Sequence, residues 1–156
     1  MAIRRIRKEG DPVLRTVCKP VTQFDESLWR LLDDMQETLK DAGGVGLAAP
    51  QVGIPKRLFI MDLGLPQMIE AINPQILKVS GKQHVVEGCL SCPDTWGYVD
   101  RPKRCRMRAQ NRKGEWYEMA FADLGAQCVC HENDHLDGHL FVDIVTEFVE
   151  PDEEEE

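Results

Sequence analysis

The chain has 156 residues, 42% hydrophobic and 29% charged, with a formal net charge of −8. Those are ordinary globular values for a length that folds as one domain without disulfide staples, and no run approaches the roughly 20 apolar residues of a membrane-spanning helix. The acidity is uneven: no Lys or Arg follows Lys113, and without the seven acids of residues 147–156 the count is 19 basic against 20 acidic residues, which argues against a surface built throughout for nucleic acid or anionic lipid.

From the N-terminus, Met1 to Gly10 is basic but has no apolar run behind it, so it does not read as a secretion signal. A soluble cytoplasmic protein is the expectation, with no membrane partner and no direct nucleic-acid recognition. In that compartment Cys18, Cys89, Cys92, Cys105, Cys128 and Cys130 are packed thiols, metal ligands or nucleophiles rather than disulfide partners.

Leu28, Leu31, Leu32, Met35 and Leu39 recur at helical spacing after Thr22 and Asp25, and Gly43-Gly44 supplies a stop, so an amphipathic helix with a core-facing stripe is predicted there. The next segment, Gly44-Val45-Gly46-Leu47-Ala48-Ala49-Pro50-Gln51-Val52-Gly53, lacks the Lys-Ser or Lys-Thr of a phosphate loop. Its residues alone predict a loop of packed small side chains where the backbone can approach a ligand. Short strands are predicted at Leu58 to Met61, Glu70 to Asn73, Ile76 to Val79 and His84 to Val86. A hairpin is predicted from Lys103 to Ala109 and Glu115 to Phe121. In its first strand Cys105, Met107 and Ala109 alternate with Arg104, Arg106 and Arg108, giving a core face and a cationic face whose plainest reading is a solvated sheet surface. A second helix is predicted from near Asp123 through Leu136, stopped by Asp137-Gly138. The domain is placed at residues 1–146, with 147–156 an acidic, disordered tail.

The second helix carries His131-Glu132-Asn133-Asp134-His135, the pattern His-Glu-x-x-His. Residues four apart project from one helix face about 6 Å apart, so His131 and His135 can grip one metal ion. Glu132 stands beside that face, placed to act on a water held by the ion without occupying a ligand position. Hydrolysis at a carbonyl is the reaction class implied. A third histidine as in one group of zinc endopeptidases would fall at position 141, which is Phe141, and His139 follows Gly138 outside the helix. The other ligand source is Glu87-Gly88-Cys89-Leu90-Ser91-Cys92-Pro93, in which either Cys89 or Cys92 can complete the site. Cys128 and Cys130 read as packed thiols, and Asp134 either supports the site or is a solvated charge.

Taken together and in order, Gly44 to Gln51, Glu87 to Ser91 and His131 to Gly138 resemble the three motifs of the peptide deformylases, and the likeness runs from Asp11-Pro12-Val13-Leu14 to about Asp143. The resemblance implies an α+β fold with antiparallel β-sheets packed around a central helix carrying the metal motif. It implies removal of the formyl group from the N-terminal formyl-methionine of new proteins, releasing formate. By the same resemblance Cys89, His131 and His135 hold the metal. Glu132 is the general base and then protonates the leaving amine. Gln51 and the Leu90 backbone N–H stabilise the oxyanion, Gly46 lets substrate backbone pair with its loop, and Val45, Leu124 and Cys128 line a methionine pocket. Fe(II) is the ion implied in the cell, with Zn(II), Ni(II) or Co(II) suited to the same ligands. Two features depart from the family pattern: Cys130 stands where Gln commonly precedes the first histidine, and the acidic end replaces a basic C-terminal helix, so weak ribosome contact is expected. The competing readings are a zinc endopeptidase and an inactive relative that binds peptide N-termini.

Overall fold

The computed structural model describes residues 2–150. Helix α1 spans Glu26–Ala42. Asp25 caps it by accepting from the Leu28 N–H at 3.3 Å, and Gly43 ends it at φ +73° while its N–H donates to Leu39 O, the left-handed stop for which glycine carries no Cβ penalty.

The strands are β1 Gly46–Ala48, β2 Leu58–Met61, β3 Ile69–Ser80, β4 Gln83–Cys89, β5 Cys92–Arg101, β6 Arg104–Gln110, β7 Trp116–Ala122 and β8 Glu147–Phe148. They make a five-stranded sheet in the order β1-β2-β3-β6-β7 and a three-stranded sheet in the order β4-β5-β8, every pair antiparallel. The run Leu58–Met61 shows how the layers form. All four residues are buried, and their side chains alternate between faces: Leu58 and Ile60 join the α1 core with Leu32 and Met35, whereas Phe59 and Met61 join a second core with Ala126 and Val129. Helix α2, Leu124–Leu136, therefore lies on the opposite side of the sheet from α1. It also contacts β5 of the smaller sheet, which makes it the central helix of an α+β fold.

Several predicted elements need correction. Glu70 to Asn73 and Ile76 to Val79 are parts of one strand, β3; Asn73 at φ +52° and register shifts on either side of Gln75 absorb the irregularity at Asn73-Pro74 without breaking the ladder. The loop predicted after Gly44 contains strand β1 and a 3-10 turn, Ala49–Val52. Strand β5 was not anticipated. The segment assigned to a tail from Glu147 begins inside the fold, because β8 pairs with β5 through Gly97 and Tyr98; residues 151–156 lie outside the described residues. Asp123 does not cap α2 with its side chain and pairs with Lys103 Nζ at 2.8 Å.

The C-terminal end of α2 is held from outside. Arg57 Nη1 donates to Leu136 O at 3.0 Å and to Asp137 Oδ1 at 2.9 Å, a cation placed against the last carbonyls of the helix. Gly138, at φ +78°, leaves no room for a Cβ, which would stand 2.7 Å from Arg15 O. These contacts fix the turn on which His135 sits.

Candidate metal centre

On α2, His131 and His135 are 8% and 1% exposed, and Glu132 between them is 3% exposed. The two imidazole rings lie 5.1 Å apart at 74°, the same-face arrangement expected of residues four apart on a helix. Cys89 arrives from the end of β4, with its Sγ 3.4 Å from His135 Nε2. One donor atom each from Cys89, His131 and His135 lies within 4.8 Å of the others. Cys92, the alternative left open by spacing, does not join this cluster.

The donor set fits a divalent transition metal. In a tetrahedral site with thiolate and imidazole bonds of about 2.3 and 2.05 Å, sulfur and nitrogen stand about 3.5 Å apart, against 3.4 Å for Cys89 and His135. Cysteine thiolate with two imidazoles suits zinc and the neighbouring first-row metals.

His131 is oriented by a charged relay absent from the sequence reading. His131 Nδ1–H donates to Glu87 Oε1 at 2.7 Å. Both oxygens of Glu87 are held by Arg101 through Nε and Nη2, each at 2.8 Å, and Arg101 Nη1 reaches Asp134 Oδ2 at 2.7 Å. Burial alone would raise the Glu87 carboxyl, but Arg101 and His131 hold it down at about 2. With Nδ1 committed to a carboxylate, His131 presents Nε2 to the metal cluster, the usual means of fixing a ligand's tautomer. Asp134 thus belongs to the support of the site and is not merely a solvated charge. His135 has no such partner: its Nδ1 is buried without a hydrogen bond.

Glu132 is the other orphan. Its Oε1 is buried with no partner, and burial pushes its carboxyl up to about 7 even though His131 opposes the shift. A carboxyl titrating there both accepts and returns a proton at neutral pH. Its Oε2 lies hard against β1, where a Cβ added at Gly46 would stand 2.6 Å away. A side chain at 46 would therefore have to displace Glu132 or Cys128.

Gln51 is buried on the 3-10 turn. Its Oε1 accepts from the Ala48 N–H at 2.9 Å, which aims Nε2 at the site, where it donates to Ser91 Oγ at 3.1 Å and Cys89 Sγ at 3.5 Å. These groups open onto a cavity of about 570 Å³ whose lining includes Val45, Gly46, Gln51, Leu90, Leu124 and Cys128. All four residues expected to form the methionine pocket or its edge are present there. Trp96, which sequence reasoning passed over, forms part of the wall; its ring covers Gly88, where a Cβ would meet Cζ3 at 2.3 Å. Strand β1 has a sheet partner on one side only, so an extended peptide could extend the sheet at that edge. His139 is exposed beyond the helix, as its spacing suggested. Cys128 and Cys130 are buried, but Cys128 also faces the cavity.

Comparison with known proteins places this geometry in context. A family model described as polypeptide deformylase matches residues 3–150. The peptide deformylase of Caldicellulosiruptor bescii is 49% identical over 156 residues, covering 100% of this chain and 93% of that protein. Among solved structures, the peptide deformylase of Thermotoga maritima superposes with a TM-score of 0.91 at 44% identity, covering 94% of this chain and 99% of that one. A Synechococcus elongatus peptide deformylase, solved in complex with actinonin, superposes with a TM-score of 0.87 at 40% identity and covers 90% and 77% of the respective chains.

Proposed function

The chain belongs to the polypeptide deformylase family and is a metal-dependent hydrolase that removes the formyl group from N-terminal methionine; from that premise we propose that Cys89, His131 and His135 hold its metal and that Glu132 moves the proton. The observation that carries this reading is the buried, partnerless Glu132 carboxylate oxygen beside three converging metal donors, of which Cys89 and His131 line the same cavity as Glu132.

In this reading a formyl-methionyl peptide lies along the open edge of β1, with Gly46 admitting its backbone and Val45, Leu124 and Cys128 around the methionine side chain. A divalent ion in the site would lower the pKa of water toward about 7 and polarise the formyl carbonyl. Glu132 takes the proton of the attacking water and returns it to the amine as the C–N bond breaks. The Gln51 Nε2–H now on Cys89 Sγ, the longer of its two contacts, turns to the developing oxyanion and is joined there by the Leu90 backbone N–H. Formate and a free peptide N-terminus leave. We infer Fe(II) as the ion in the cell, with Zn(II), Ni(II) and Co(II) accepted by the same thiolate and imidazoles.

The working place is read as the cytoplasm, in keeping with nascent-chain substrates. Ribosome contact is read as weak, because the cationic stripe on β6 is partly spent within the chain: Arg106 pairs with Glu118 at 3.0 Å and Arg108 lies 4.0 Å over the Trp116 ring. No helix among the described residues is long and apolar enough to cross a membrane.

The test is formate release from a formyl-methionyl peptide by anaerobically prepared Fe(II) or Ni(II) protein, run beside metal analysis of Cys89→Ala. Release by the parent and loss of bound metal by the variant are expected. Unchanged metal content in Cys89→Ala would remove Cys89 from the ligand set.

A further inference from the structure

Cys92 has no part in the reaction above, yet it sits opposite a metal ligand. The two-residue turn Leu90–Ser91 closes the β4–β5 hairpin, and Cys89 and Cys92 are the paired residues that flank it. Opposed residues of antiparallel strands have Cα atoms about 4.5–5.5 Å apart, inside the roughly 4.4–6.8 Å span of a disulfide. The environments of the two cysteines differ usefully. Both line the cavity, but Cys89 is half-buried, where a small solute can reach it, whereas Cys92 is 3% exposed and packed among Leu14, Val99, Leu140 and Phe141. That packing keeps the second sulfur beside the first.

We propose that Cys89 and Cys92 form a reversible oxidation pair, with a hydroperoxide as the oxidant and Cys92 as the resolving thiol. The Cys89 sulfur attacks the terminal oxygen of the hydroperoxide and the O–O bond breaks. Cys89 becomes a sulfenic acid, and the reduced oxidant leaves as an alcohol, or as water when the oxidant is hydrogen peroxide. The Cys92 sulfur then attacks the Cys89 sulfur; the S–S bond forms, the S–O bond breaks, and hydroxide leaves with the Cys92 proton as water. In total, two thiols and one hydroperoxide give one disulfide, one alcohol or water, and one further water. A sulfenic acid with no neighbouring thiol goes on to sulfinic and sulfonic acids, which ordinary thiols do not reverse. Resolution by Cys92 diverts Cys89 from that course.

A second consequence rests on the assignment of Cys89 as a metal ligand: the disulfide removes one of three donors and releases the ion, and reduction restores the site.

The experiment uses the full chain loaded with Ni(II) or Zn(II), neither of which hydrogen peroxide oxidises under these conditions. A several-fold excess of hydrogen peroxide over chain is added, remaining thiols are alkylated, and intact mass, linked peptides and released metal are followed before and after dithiothreitol. Before alkylation the parent chain is expected to become about 2 Da lighter, to yield a Cys89–Cys92 linked peptide, to release its metal, and to regain thiols and metal on reduction. Cys92→Val and Cys92→Ser are compared only after each is shown to bind metal at the parent's stoichiometry. Both are expected to gain about 32 or 48 Da at Cys89, beyond the reach of dithiothreitol. A parent chain that acquires the same irreversible oxygen adducts as Cys92→Val, or that links other cysteines such as Cys105 and Cys130, would overturn the proposal. A Cys89–Cys92 disulfide that forms without metal release would instead leave the oxidation pair standing and refute Cys89 as a ligand.

Discussion

Replacing Arg101 by Met removes the centre of the relay that orients His131. Arg101 and Glu87 are both 5% exposed, so the variant leaves a buried carboxylate with only His131 beside it. In the parent chain Glu87 ionises at about 2 instead of 4.5, which at about 1.4 kcal/mol per pH unit is worth about 3 kcal/mol, comparable to the roughly 3–5 kcal/mol lost when one partner of a buried ion pair is removed. The sign follows from the depressed value: the stabilisation is complete above pH of about 4.5 and fades as pH falls toward 2. Denaturant unfolding of Arg101→Met should therefore show a deficit of about 3 kcal/mol at pH 7 that narrows below pH 4.5. The double variant Glu87→Gln/Arg101→Met, which buries no unpaired charge, should recover part of it. Metal affinity should fall about 10- to 100-fold in Arg101→Met, since His131 loses its fixed orientation. A deficit under about 0.5 kcal/mol with no pH dependence would refute the argument that this relay is an obligatory support of the site.

Two further perturbations probe separate parts of the molecule. In Gly46→Ala the added methyl would stand 2.6 Å from Glu132 Oε2 and 2.9 Å from Cys128 Sγ; overpacking of about 1–3 kcal/mol at that point should lower turnover about tenfold or more with metal content unchanged, and full activity would show that the carboxylate can shift harmlessly. Asp34, at 5% exposure, accepts from the Ala2 N–H and Arg4 Nε. Burial opposes its ionisation, but those two donors prevail and hold it below its ordinary 3.8. Asp34→Asn should therefore cost stability at neutral pH, and the gap should close as pH falls below 3.8, which thermal unfolding across pH 2–7 would register. A gap that persists at low pH would assign the loss to packing rather than charge.

How much of this was visible beforehand varies with how local the governing physics is. Helix α1 and the β6–β7 hairpin follow from periodicity and end signals within a few residues, and both lie where those signals put them. The helical spacing of His131 and His135 likewise needs only one turn of helix. Arg101 was illegible because a single arginine between Asp100 and Pro102 looks solvated; its burial follows from the packing of β5 against α2, which no short pattern encodes. Glu87 was quoted within a motif but could gain a role only once the fold brought it to His131, 44 positions later in the chain. Strand β5 carries Pro93 and Asp94 directly after its first residue, the latter at φ +59°, and contains Gly97, all of which argue for a turn in isolation. Strand β1 was hidden for a related reason: three small or aliphatic residues become a strand only because β2 offers a partner.

The central claim is that Glu132 carries the proton while Cys89, His131 and His135 hold the ion. The most direct measurement is formate release and bound metal determined on the same preparation of Glu132→Gln. One metal per chain with turnover reduced about 100-fold or more is the result expected. Turnover near the parent's at full metal occupancy would contradict the account.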